Sequence, residues 1–85
     1  MDDLESELAA LRRDNARLRA LERLADGAAH DLNNLLTAIL SYAELVAATL
    51  PDGDPRRADL AQVPRAARRA GELTDQILAV TRPPR

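Results

Sequence analysis

The sequence predicts an all-α fold: a long helical hairpin dimerising into a four-helix bundle, with an N-terminal parallel coiled-coil extension. Three observations predict it. Apolar residues recur at alternating spacings of three and four from Leu4 to Leu50, the mark of one continuous helical stripe. Pro51, Gly53 and Pro55 then fall close together and interrupt the helix. A second stripe follows at the same spacing, through Leu60, Val63, Ala66, Ala70, Leu73, Ile77 and Val80. Alanine and leucine dominate the composition and Tyr42 is its one aromatic residue, which favours helix over strand.

Residues 1–25 read as a coiled-coil helix. In heptad letters the d positions are Leu4, Leu11, Leu18, Ala25, Leu32, Ile39 and Val46. The a positions are Leu8, Asn15, Glu22, Ala29, Leu36, Ala43 and Leu50. A single buried asparagine at an a position costs stability but fixes register and favours two strands. Glu7 with Arg12, and Asp14 with Arg19, fall at g and following e positions, where they meet across a parallel pair.

Residues 26–82 form the hairpin proper, and 83–85 begin a linker. Gly27 lies mid-helix one turn before His30, as a point of bending or of close helix approach. From Leu32 the apolar face broadens to take in Leu35, Leu40 and Leu45, the width that a four-helix bundle requires. Helix one stops near Leu50 because Pro51 disfavours helix in the residue before it. At roughly 1.5 Å per residue it is about 70 Å long. Asp54 is the expected N-cap of helix two and Pro55 its first helical residue. Pro64 removes a backbone hydrogen bond and predicts a kink or local distortion at that point. Counted outward from the loop, Pro64 lies opposite Tyr42 and His30 opposite Gln76.

The charge balance excludes several function classes. Twelve arginines against 14 acidic residues give a net charge of -2, with no general pull on nucleic acid or anionic membrane. Arg12, Arg13, Arg17, Arg19 and Arg23 are interleaved with Asp14 and Glu22 inside the zipper, whereas a basic DNA-reading region precedes its zipper. Without cysteine there is no disulfide or thiolate metal site, and no apolar run spans a bilayer. These features point to a cytoplasmic chain without direct membrane contact. No phosphate-cradling glycine loop is present, and no residues converge on a metal.

His30 is the sole histidine and occupies a b position, off the seam and facing water. Asn34 and Thr37 follow at spacings of four and seven, on the same exposed face. Near pH 7 a neutral imidazole offers a nitrogen lone pair, and a stiff helix holds it in line for phosphoryl transfer. Asp31 is adjacent, and Asp26, one turn earlier on the same face, is a rival partner for the ring.

The stretch His30-Asp31-Leu32-Asn33-Asn34-Leu35-Leu36-Thr37, followed by Ala38 to Leu45, resembles the phosphoacceptor box of two-component sensor histidine kinases. Leu35, where many members carry proline, is similar to the hybrid and nitrogen-regulation-type subgroup. Arg69 to Arg82 resembles the family's return helix, although Pro64 departs from its usual apolar residue. The resemblance implies that His30 accepts a phosphoryl group from ATP and passes it to a response-regulator aspartate. ATP and magnesium would sit on a separate catalytic domain, so this chain holds no cofactor itself. It implies that Asp31 orients the ring and removes charge, and that Asn34 orients phosphoryl oxygens or water. Reach to the imidazole puts regulator docking across Thr37, Ser41 and Leu45. The expected partners are a second copy, the ATP-binding catalytic domain and a receiver domain. By this resemblance the chain looks like an excised part of a phosphotransferase, or a natural protein reduced to that part. The alternatives are a standalone phosphotransfer adaptor and a non-enzymatic oligomerisation module.

Overall fold

The structure is a computed structural model and describes residues 2–82; the expected linker start at 83–85 lies outside the described residues. Helix α1 spans Asp2–Thr49, α2 spans Arg56–Leu60 and α3 spans Gln62–Thr81. The chain folds back once, and its overall extents are 77 Å by 19 Å by 15 Å. Acidic Asp2, Asp3 and Glu5 in the first turn of α1 complement the positive end of its dipole. The helix runs unbroken through Gly27, where an added Cβ would meet nothing within 4 Å. Close helix approach within the chain is therefore not what places glycine there.

The turn is closed by several local bonds. Leu50 N–H donates to Ala47 O at 3.2 Å and Asp54 N–H to Pro51 O at 3.2 Å. Gly53 takes the left-handed φ of 82° that the turn demands and that glycine adopts without strain. Arg57 donates to Leu50 O at 2.8 Å and Pro51 O at 3.2 Å, satisfying carbonyls just beyond the end of α1. Asp54 Oδ1 accepts the Arg56 N–H at 2.9 Å, and Pro55 has helical dihedrals. The expected cap is thus in place, two residues ahead of the start of α2. The Arg56 guanidinium also grips the carboxylate with two parallel bonds, at 3.0 and 2.6 Å. Those side-chain bonds first, and the backbone bond second, hold Asp54 below the usual carboxylate range.

The return arm differs from expectation at Pro64. Instead of one helix kinked at the proline, the helix breaks three residues earlier, at Ala61. Ala61 keeps right-handed dihedrals, with ψ relaxed to -17°, so the break is a tightening of the turn and not a sharp bend. Pro64 becomes the third residue of α3, where its missing N–H needs no helical partner. Past Thr81, Arg82 is extended, as a residue before proline prefers, and its N–H donates to Leu78 O at 3.0 Å.

Packing divides the apolar residues into two sets. From Ala25 onward α1 turns Ala25, Ala29, Leu36, Leu40, Ala43, Ala47 and Leu50 toward the return arm, which answers with Leu60, Val63, Ala67, Ala70, Gly71, Thr74 and Leu78. From Ala29 onward the hairpin face of this arm is therefore built on a and e positions. The d positions Leu32, Ile39 and Val46, with Leu35 and Tyr42, remain exposed. The expected face of helix two is corrected in the same way: Leu60, Val63 and Ala70 turn inward, while Ala66, Leu73, Ile77 and Val80 point out. Among the described residues only Ala29, Ala67 and Thr74 are buried, and no large side chain is fully covered. One hairpin encloses almost no core, and its large apolar groups lie on faces that a second copy can cover. Before Ala25, α1 runs alone with Leu4, Leu8, Leu11, Leu18 and Leu21 exposed.

Candidate phosphoacceptor site

His30 projects from the middle of α1 and is exposed, as its b position predicts. Its helix is held by the small-residue packing beside it, where Ala29 is buried and Thr74 is buried on the opposite helix. Thr74 satisfies its hydroxyl by donating to Ala70 O at 2.9 Å, so the close contact carries no unmet polar group. The Asn34 side-chain amide reaches back one turn and donates to His30 Nε2 at 3.4 Å, a long contact. In that arrangement Nε2 carries the lone pair and Nδ1 the proton. The structure thus brings together two of the three expected reactive residues.

Asp31 is not brought in: it is exposed at the next position around the helix and makes no hydrogen bond with His30 among the described residues. Asp26 does not touch the ring either. Its Oδ1 accepts from Arg82 Nη2 at 3.2 Å, an ion pair between the level of His30 and the end of the return arm. Sequence reasoning missed this pair. The available signal was the count outward from the loop, which sets Asp26 and Arg82 within two residues of the same level.

The expected docking residues Thr37, Ser41 and Leu45 are all exposed on α1. Thr37 donates to Asn33 O at 2.9 Å, which fixes its rotamer against its own helix. It stands at the rim of a groove of about 410 Å³ between the helices, with Leu36 and Leu40 on one side and Pro64, Ala67 and Arg68 on the other. Pro64 lies at the level of Leu40 and Ala43, near its expected level and well away from His30. Arg68 is a second groove residue that sequence reasoning did not single out. No group of three or more potential metal ligands gathers among the described residues. No helix among them is long and apolar enough to cross a membrane.

Residues 20–84 match the family model described as the His Kinase A (phospho-acceptor) domain. The chain is also 38% identical over 66 residues to "Sensor kinase CckA" of Brucella abortus (strain 2308). That match covers 78% of this chain and 7% of the relative. No solved structure matches. The matched span contains the exposed histidine, the turn and the whole return arm. The chain therefore belongs to the His Kinase A (phospho-acceptor) domain family, as a dimerisation and phosphoacceptor domain of the sensor histidine kinase type.

Proposed function

We propose that His30 is the phosphorylated residue, fed from ATP on a separate catalytic domain and discharged to the aspartate of a receiver domain. One observation carries the assignment: the sole histidine is exposed on a rigid helix, beside an amide whose long contact marks Nε2 as the nitrogen with the lone pair and is given up when that lone pair attacks. In the forward step the Nε2 lone pair bonds to the γ-phosphorus as the bond to ADP breaks. The Nδ1 proton then leaves, and Asp31 accepts it after a rotamer change. Asn34 orients a phosphoryl oxygen or the attacking water. In the second step the aspartate oxygen bonds to phosphorus and the P–N bond breaks.

The receiver domain docks across Thr37, Ser41 and Leu45, where the groove beside Thr37 gives it a recess flanked by Arg68. Two copies pair through the outward stripes, and residues 2–24 extend the pairing as a parallel coiled coil with Asn15 in its seam. The cytoplasm, where ATP is available, is the compartment this chemistry requires. Leu35, five residues after the histidine, supports a reading within the hybrid and nitrogen-regulation-type subgroup.

The test is labelling by ATP in the presence of a separate catalytic domain. The wild-type chain gains acid-labile phosphate and His30→Ala gains none. The variant should also keep the dimer, because truncating an exposed b-position side chain costs within about 0.5 kcal/mol. Acid-labile phosphate on His30→Ala would overturn the assignment.

A further inference from the structure

We propose that Arg82, held in place by Asp26, is the guanidinium that binds the phosphoryl group on His30, with Asp26 as its positioning residue. The inference rests on His30 as the phosphorylated residue. Arg82 and Asp26 form the one ion pair among the described residues that joins the open ends of the hairpin, across 56 residues of sequence. The other two ion pairs lie in the turn.

Asp26 and His30 are four residues apart on one helix, so their Cβ atoms are about 5–6 Å from each other. Helical side chains lean toward the N-terminus. Asn34 shows that lean by reaching back to His30. Once the ring gives up Asn34 and takes the same lean, a group carried on it stands over the turn where Arg82 is anchored. Asp26 takes a single contact, through Nη2 at 3.2 Å. Among the described residues the rest of the planar donor fork has no other partner, and it matches the oxygens of a phosphoryl group.

The competing cations are farther away. Arg23 shares the face of His30 but lies two turns before it. Arg68 lies in the groove beside Thr37, two turns past it. Arg82 can thus bridge the Asp26 carboxylate and the phosphoryl group. Asp26 gives it an address without neutralising it fully, since the pair is roughly half exposed on both sides. Because Arg82 directly follows the last residue of α3, the phosphoryl group would also grip the point where the chain leaves the hairpin.

The experiment loads the 85-residue chain with phosphoramidate, which needs no catalytic domain: its P–N bond breaks, ammonia leaves and a new P–N bond forms to the His30 ring. Nitrogen-15 NMR then follows the side-chain N–H signals of the arginines, and phosphorus-31 NMR confirms the phosphohistidine. The Arg82 Nε–H signal is expected to shift and to exchange more slowly with water on loading. Asp26→Asn diminishes that shift, and Arg82→Gln moves the phosphorus signal, with Arg82→Lys restoring it in part. With ATP and a separate catalytic domain, Arg82→Gln is expected to lower phosphohistidine accumulation roughly threefold. Circular dichroism and sedimentation should match wild type for each variant. An Arg82 signal unmoved while phosphohistidine is present in the same sample overturns the proposal and leaves the role of His30 standing. Failure of the wild-type chain to label from ATP sinks the role of His30 as an ATP-fed acceptor, and the NMR result decides Arg82 separately.

Discussion

Replacing Ile39 by alanine should weaken association much more than it weakens the hairpin. Ile39 is 50% exposed in one chain and sits on the outward stripe with Leu32, Leu35, Tyr42 and Val46. Full burial of an isoleucine side chain is worth about 1.5–3 kcal/mol, and half of that remains to be gained when a second copy covers it. The same loss occurs in both copies, and an unfilled space adds to it, so the dimer should lose about 2–4 kcal/mol. That corresponds to a Kd raised about 30- to 1,000-fold. Leu36 is the control: it is one turn away but turned into the hairpin. Leu36→Ala should act mainly on the melting temperature. Sedimentation equilibrium over a concentration series, paired with thermal melts by circular dichroism, separates the two effects. If Ile39→Ala leaves Kd unchanged, or Leu36→Ala weakens association more than Ile39→Ala does, the division into an inward and an outward stripe is wrong.

Asn15→Leu should raise the melting temperature and loosen the oligomeric state, since a buried seam amide specifies at the expense of stability; an unchanged melt would place Asn15 off the seam. Substituting Ser41 and Leu45 together with larger charged residues should slow phosphoryl transfer to the receiver domain while sparing the loading of His30, as rapid-quench kinetics would show. The turn should weaken in acid. The folded state holds Asp54 below its unfolded value of 3.8, so its contribution is complete above 3.8 and is lost as pH falls through the lower folded value. Asp54→Asn should remove that part of the acid dependence from melts recorded between about pH 5 and pH 2.

The hairpin, its turn and its cap were legible because each has a local cause. Pro51 ends α1 by steric conflict, Asp54 caps by reaching the Arg56 N–H, and Gly53 supplies a left-handed φ. The partner of each apolar residue was not legible. A three-four spacing marks which side chains leave water but not whether they meet their own return arm or another chain. On α3 the largest apolar residues, Leu73, Ile77 and Val80, draw the eye as the packing face. The intrachain contact instead selects Ala67, Ala70 and Thr74, because small side chains let two helices approach closely. At the reactive level, the exposed face that His30 shares with Asn34 followed from spacing alone, whereas their contact did not. The Asp26–Arg82 pair depends on the relative register of two helices, which no local pattern encodes. Pro64 marked a disturbance, but its location three residues earlier depended on which residues could still find helical partners.

The unequal ends of the hairpin set the order in which it opens. At the turn, Arg57 holds two carbonyls, Asp54 caps the following helix, and the chain closes a short loop at small entropic cost. At the far end the arms meet through small side chains and the half-exposed Asp26–Arg82 pair. Contacts should zip from the turn outward during folding and be lost from the open end inward. His30 therefore stands near the end of the hairpin that closes last, so a partner that clamps this end stabilises the region where the chemistry takes place.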